Sequence, residues 1–352
     1  MKLSNFIGGA CLSLFMGHSA LSQPADWSVG SALQPSAIDL TLLEDYSANL
    51  EDATLAADLA PSAFLIAPAS YVAPEESKLS FALRRIDTPG FGHYGVSTFF
   101  DQSTDVWLDF TGLLAANIYG GVSNLDVTGN KFHFEDEGWF GKDTYALGMD
   151  KLGHAYGSYL YSDYFTQRIA HSRGDATGAG ITGAILGFGI QTVVEVIDGF
   201  STEYGFSNQD LIADGVGSAF SMLRSTIPGL SEKVDFRMEY NPWGNGSSGF
   251  SPFNDYSNQK YLLALKLSGF EQFQDTPLRF VELQAGYFAR GYGAKDAPPV
   301  GELRREPYIA IGVNLAELFN VGPVRDTLPA EFARRAFEYI QVPGTYVATV
   351  NK

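Results

Sequence analysis

Two short stretches of ionisable residues constrain this chain more than any other feature of its sequence. The first contains Asp150, Lys151 and His154, which share one face of a helix at 3.6 residues per turn. The second contains Glu195 and Asp198, beyond an uncharged, glycine-rich segment. Burying ionisable groups without partners is costly. The sequence therefore predicts that two helices pack together with these side chains facing each other.

A third predicted helix brings more carboxylates to the same region. It begins at Ser207, where the sequence has the pattern of a capping box. The two helices before it are predicted over residues 144–171 and 178–197. We expect all three to contribute to one cluster. Its candidate site residues are Asp150, Lys151, His154, Glu195, Asp198, Asp210 and Asp214.

The cluster has three interpretations on sequence alone. It is a structural network if Lys151 pairs with Asp198 or Glu195. It is a general acid/base pair if His154 is tuned by Asp150 or Glu195. It is a divalent metal site if the imidazole and carboxylates are ligands, and the predicted metal ligands are then His154, Glu195 and Asp198. The sequence contains no zincin string, nucleophile elbow, P-loop or dinucleotide fingerprint, so a divalent metal is the only cofactor indicated.

The charge of the chain excludes nucleic acid as a partner. Its 352 residues include 23 Lys and Arg against 40 Asp and Glu, a formal net charge of −17. A phosphate backbone would be repelled by such a surface. The partners that we expect are instead a membrane or envelope lipids.

The N-terminal residues predict an exported protein. Lys2 precedes an uncharged stretch over residues 6–16, and small residues follow up to Ser22. We predict a signal peptide over residues 1–22 and a location in the periplasm or at the outer membrane. The single cysteine, Cys11, lies inside this segment, so a chain cleaved after Ser22 has no disulfide. A lipid anchor at Cys11 is the alternative.

The rest of the chain divides by composition and periodicity. We predict an acidic, proline-containing arm over residues 23–89, a helical core over 90–230, an antiparallel β region over 231–320 and a C-terminal helix and tail over 321–352. Apolar and polar residues alternate from Val234, Tyr261, Val281 and Ile309, which predicts four strands. The expected fold class is α+β. It comprises a glycine-rich bundle of about four helices and a C-terminal antiparallel β-meander.

The motifs of the cluster resemble a known family. The chain has Asp-Lys-x-Gly-His-x-x-x-Ser-Tyr from Asp150, Glu-x-x-Asp-Gly-Phe from Glu195 and Phe-Ser-x-x-Asp-x-x-x-Asp-x-x-Gly from Phe206. This order is similar to domain of unknown function 2279, over about residues 139–317, and implies a periplasmic lipoprotein. The chain also resembles, more loosely, the VanZ-like membrane proteins, whose helices span the inner membrane. Its residues are Asp150, Lys151, His154, Glu195, Asp210 and Gly217.

Two functions are consistent with these expectations. The first is a cell-envelope hydrolase or transferase on a lipid-linked or cell-wall substrate, with His154 as base or metal ligand. The alternative is a non-catalytic structural or membrane-docking component of the envelope. A cluster that opens into a pocket favours chemistry, whereas one sealed by ion pairs with Lys151 favours a structural role.

Overall fold

A computed structural model describes residues 80, 83–88, 94–124, 127, 130–173, 176–243, 252, 255–293 and 298–349. The predicted signal peptide and almost all of the predicted acidic arm lie outside these residues. These residues contain six helices of more than two turns: α1 Val96–Thr104, α2 Trp107–Asn124, α3 Met149–Ser172, α4 Ala179–Asp198, α5 Asn208–Thr226 and α6 Leu328–Ala336. Single helical turns occur at Leu230–Lys233, Glu271–Gln274 and Leu315–Leu318. The strands are β1 Val234–Tyr240, β2 Gln259–Lys266, β3 Val281–Arg290, β4 Arg304–Val313, β5 Ile340–Gln341 and β6 Tyr346–Thr349.

The described part of the chain is an α+β protein, as its sequence predicts. The four predicted strands form a consecutive antiparallel meander, β1 to β4. Two further strands extend it at the edges, β5 parallel to β1 and β6 antiparallel to β4. We did not predict β5 or β6 because segments of two and four residues are too short to show a period of two.

Helix α3 lies at the centre of the helical part and packs against both α4 and α5. Most of its residues are buried. Glycines allow the helix axes to approach closely: a β carbon on Gly217 of α5 would overlap the backbone oxygen of Ala155 on α3. Gly183 and Gly187 of α4 lie in the same way against Ser162 of α3. These three glycines are therefore helix-packing positions.

One predicted helix start is wrong. Helix α3 begins at Met149 rather than near residue 144. Ala146 and Leu147 have φ angles of 48° and 55°, outside the helical region. The backbone oxygen of Leu147 accepts a 2.7 Å hydrogen bond from the Tyr287 hydroxyl of β3, so tertiary contact holds this turn.

A buried network of charges joins the helices to the sheet. Asp163 of α3 accepts 2.8 Å hydrogen bonds from Arg85 and from Arg335 of α6. Arg224 of α5 pairs with Asp235 of β1 at 2.6 Å. Both members of the Arg224 pair are fully buried. Because each of these charges has an opposite charge beside it, the network fixes the sheet on the helices.

Helix α5 has an inverted distribution of polarity. Its three charged residues, Asp210, Asp214 and Arg224, are buried. After its first turn, its exposed residues are all apolar: Ile212, Val216, Ala219 and Leu223. A helix on the surface of a soluble protein normally has the opposite arrangement, with its apolar stripe facing the core.

Helices α2 and α4 have the same inversion. The single charged residue of α2, Asp109, is buried, whereas Trp107, Leu108 and Tyr119 are exposed. Among the described helices, α4 alone has the length and hydropathy to cross a membrane, and 56% of that segment is buried. The same length and composition occur in core helices of soluble proteins. The charged side chains of α2, α4 and α5 are thus buried, and large apolar side chains are exposed on all three helices.

Candidate functional site

Lys151 lies at the centre of the first half of the cluster. Its ammonium is 2.6 Å from Glu137 Oε2, 2.7 Å from Asp150 Oδ2 and 2.8 Å from Asp210 Oδ1. The Lys151 side chain is 2% exposed. Three carboxylates thus surround one buried cation. They come from the loop before α3, from α3 itself and from α5.

His154 occupies the second half, one helical turn further along α3. Its Nδ1 atom is 3.3 Å from Glu195 Oε1 of α4 and 3.4 Å from Asp214 Oδ1 of α5. Its Nε2 atom is 3.8 Å from Asp210 Oδ2. Asp210 therefore lies between the two halves, with one oxygen toward Lys151 and the other toward His154.

Neighbouring groups orient the carboxylates around His154. The Gln191 side-chain amide donates a 3.0 Å hydrogen bond to Asp214 Oδ1. The Ser207 backbone N–H donates to Glu195 Oε2 at 3.2 Å. The Ser207 hydroxyl accepts from the Asp210 backbone N–H, also at 3.2 Å, so the predicted helix cap is confirmed. The start of α5 thus contacts both adjoining helices.

Burial and the close carboxylates change the pKa values of the cluster. Burial alone lowers the pKa of His154, but Asp210, Asp214 and Glu195 raise it to about 10. Burial raises the pKa of Glu195 well above its usual range, against the effect of His154, and Asp210 and Asp198 raise it further. Burial also raises the pKa of Asp214. The centre therefore has a strong demand for positive charge, which protons or a bound cation can satisfy.

The structure brings all seven sequence-predicted site residues into one buried region. Lys151 pairs with carboxylates other than Asp198 and Glu195, the partners that we predicted for it. Asp198 is buried and close enough to Glu195 to affect its pKa. The donor atoms that lie within 4.8 Å of one another around His154 come from Glu195 and Asp214. The predicted ligand set that includes Asp198 stays a prediction.

Sequence reasoning missed Glu137. This residue lies in the loop before α3, and its carboxylate makes the shortest of the three contacts with Lys151. The loop has no periodicity that would indicate which of its acidic side chains faces inward. The place of Glu137 in the loop that leads to α3 was the only available signal.

The centre is closed to solvent. The side chains of Lys151, His154, Glu195, Asp210 and Asp214 are each no more than 2% exposed. Two cavities on the described part of the protein have other linings. One is an apolar groove beside Leu152 and Ile309, and the other is a polar cavity near Arg279 and Glu338. Ion pairs and burial, rather than an open pocket, characterise this centre.

The fold and the site define an α+β protein in which three close-packed helices enclose an imidazole, an ammonium and several carboxylates. Residues 136–226 match the model of a family described as predicted periplasmic lipoprotein, domain of unknown function 2279. The match confirms the resemblance to this family over these residues, whereas its extension to residue 317 and the likeness to VanZ-like proteins stay predictions. The matched region contains the whole cluster, from Glu137 to Asp214, and it ends with the last residue of α5.

The family description supports an exported, periplasmic location for this chain. No curated protein and no solved structure matches it.

Proposed function

We propose that this protein is a non-catalytic component of the cell envelope that docks on lipid through the outer faces of α2, α4 and α5. The observation that carries the proposal is the inverted polarity of α5. Its charged residues are buried, and after its first turn its exposed residues are all apolar. Contiguous apolar surface of this kind marks an interaction site rather than a solvent-facing one.

Lipid is the occupant that fits this surface best. Val216 and Ile212 are 61% and 54% exposed and carry no polar group to satisfy a protein partner. Polar residues that face the inside of a bundle, with small residues at helix contacts, are typical of helices in an apolar medium. The length and hydropathy of α4 agree with such a medium. The description of the matched family as a lipoprotein also agrees with a position at a membrane.

The closed centre supports a structural role over catalysis. A hydrolase or transferase must bring substrate to His154, whose side chain is 0% exposed. The ion pairs of Lys151 with Glu137 and Asp210 instead connect the loop before α3 and the start of α5. Catalysis on a lipid-linked or cell-wall substrate would require these elements to separate. The buried charges therefore act to hold together a bundle whose outer surface is apolar.

Flotation with lipid vesicles tests the proposal. The chain starting at Gln23, which lacks Cys11 and the predicted signal peptide, is mixed with vesicles of phosphatidylethanolamine and phosphatidylglycerol. We expect it to float with the vesicles, and we expect Val216→Asn to reduce the bound fraction several-fold. Val300→Asn is the matched control, because Val300 is 80% exposed but lies outside the helices.

Circular dichroism and urea unfolding serve to check that both variants are folded. Failure of the parent chain to float, or equal loss in the two variants, contradicts docking through these helices.

A further inference from the structure

We propose that His154, Glu195 and Asp214 bind one zinc ion between α3, α4 and α5. The proposal is independent of lipid docking. It rests on the positions of the donor atoms, on buried polar atoms without hydrogen-bond partners and on the charges of the surrounding groups.

The donor spacing fits a shared metal ion. Nδ1 of His154 is 3.3 Å from Glu195 Oε1 and 3.4 Å from Asp214 Oδ1, and donor atoms of the three residues all lie within 4.8 Å of one another. Zinc binds nitrogen and carboxylate oxygen at about 2.0–2.2 Å with tetrahedral geometry. Two ligands of one tetrahedral zinc ion are then about 3.4 Å apart. The two distances from Nδ1 thus match the spacing of ligands around one ion.

Several buried side-chain atoms of His154, Glu195 and Asp214 have no hydrogen-bond partner within the described part of the chain. Neither ring nitrogen of His154 has a hydrogen-bond partner among the described residues, and the ring is fully buried. The same is true of Glu195 Oε1 and Asp214 Oδ2. The imidazole lies at ion-pair distance from both carboxylates. Because buried polar atoms are nearly always satisfied, a ligand that contacts all three groups explains the arrangement.

Surrounding groups are placed as outer-shell partners of a metal site. The far oxygen of the Glu195 carboxylate, Oε2, accepts from the Ser207 backbone N–H, and the Gln191 amide donates to Asp214. The other ring nitrogen of His154, Nε2, lies 3.8 Å from Asp210 Oδ2. Metal-binding histidines usually have a carboxylate at the second ring nitrogen, which orients the ring.

The surrounding charges favour a metal ion at these three residues rather than at a second group of three carboxylates in the cluster. Glu137, Asp150 and Asp210 also have donor atoms within 4.8 Å of one another. The ammonium of Lys151, however, already contacts all three of them. A neutral imidazole with two carboxylates has a charge of −2, which one divalent cation neutralises.

Metal content of the full chain tests the proposal. We expect the purified wild-type protein to retain about one zinc ion per chain after dialysis. Elemental mass spectrometry measures this zinc content. Chelator-treated protein should bind one equivalent of added zinc and melt at a higher temperature. We expect Asp214→Asn and Glu195→Gln to bind zinc at least about 10-fold more weakly. Asp198→Asn distinguishes this trio from the sequence-predicted set that includes Asp198, and it should retain zinc because Asp198 lies outside the trio.

The outcomes are distinct. Wild-type protein that neither retains zinc nor binds it after chelation overturns the proposal, whether or not the variants fold. Retention of zinc by Asp214→Asn together with its loss in Asp198→Asn overturns the ligand set. If Asp214→Asn fails to fold, the zinc content of the wild-type protein alone tests whether zinc binds. None of these results depends on binding to vesicles, so they leave the proposed docking to its own test.

Discussion

Lys151 and Asp210 form an ion pair of 2.8 Å between α3 and α5, and each side chain is 2% exposed. The other oxygen of Asp210 faces His154. This carboxylate therefore contacts the one ammonium of the cluster and lies beside its one imidazole. The two halves of the centre are connected through it, so a change at Lys151 is expected to affect both.

Lys151→Met should strongly destabilise the protein. The substitution keeps most of the side-chain volume but leaves Glu137, Asp150 and Asp210 without their buried cation. Breaking a buried pair by removing one partner costs about 3–5 kcal/mol. Urea unfolding measures this loss. Lys142→Met is the control, because Lys142 is exposed, and equal stability of the two variants would contradict the role of Lys151.

Gly217→Ala should loosen the contact between α3 and α5. The added β carbon would overlap the Ala155 backbone oxygen, which cannot move without shifting α3. Overpacking of this kind costs about 1–3 kcal/mol. Gly189→Ala is the control, because nothing lies within 4 Å of its β carbon and alanine is the better helix former. Thermal unfolding should therefore place the two variants on opposite sides of the wild type. A Gly217→Ala protein as stable as wild type would show that the helices are not in close contact.

The Asp163 network should make stability fall in acid. Burial raises the pKa of Asp163, but Arg85, Arg335 and Arg224 lower it well below its usual range. Because the folded-state pKa is depressed, the contribution is complete above the unfolded pKa of about 3.9 and is lost as the pH falls further. The advantage of wild type over Asp163→Asn should thus be constant between about pH 5 and 7.

Below about pH 4 that advantage should shrink by about 1.4 kcal/mol per pH unit, as measured by urea unfolding at each pH. A difference that stays the same down to pH 3 would mean that the pKa of Asp163 is not lowered in the folded protein.

Helical periodicity explains why the sequence predicts so much of the centre. Asp150 and His154 share a face in any helix, and the uncharged segment before Glu195 has few alternatives to a buried helix. The partners of Lys151 were not predictable in the same way. Glu137 reaches it from a loop, and residues adjacent along that loop have no fixed direction. The choice between Asp198 and Asp214 beside His154 depends on how α4 and α5 rotate about their axes.

The amino-acid sequence alone determined the three central helices, the four-strand meander and the set of ionisable residues, because each has a local period or capping pattern. Only the tertiary structure decided which carboxylates meet Lys151 and His154, and that the apolar faces of α4 and α5 are exposed. A period shows that a helix has two faces, but it does not show which face meets water or another helix. That orientation follows from contacts between residues distant along the chain, such as Gly217 with Ala155 and Lys151 with Asp210.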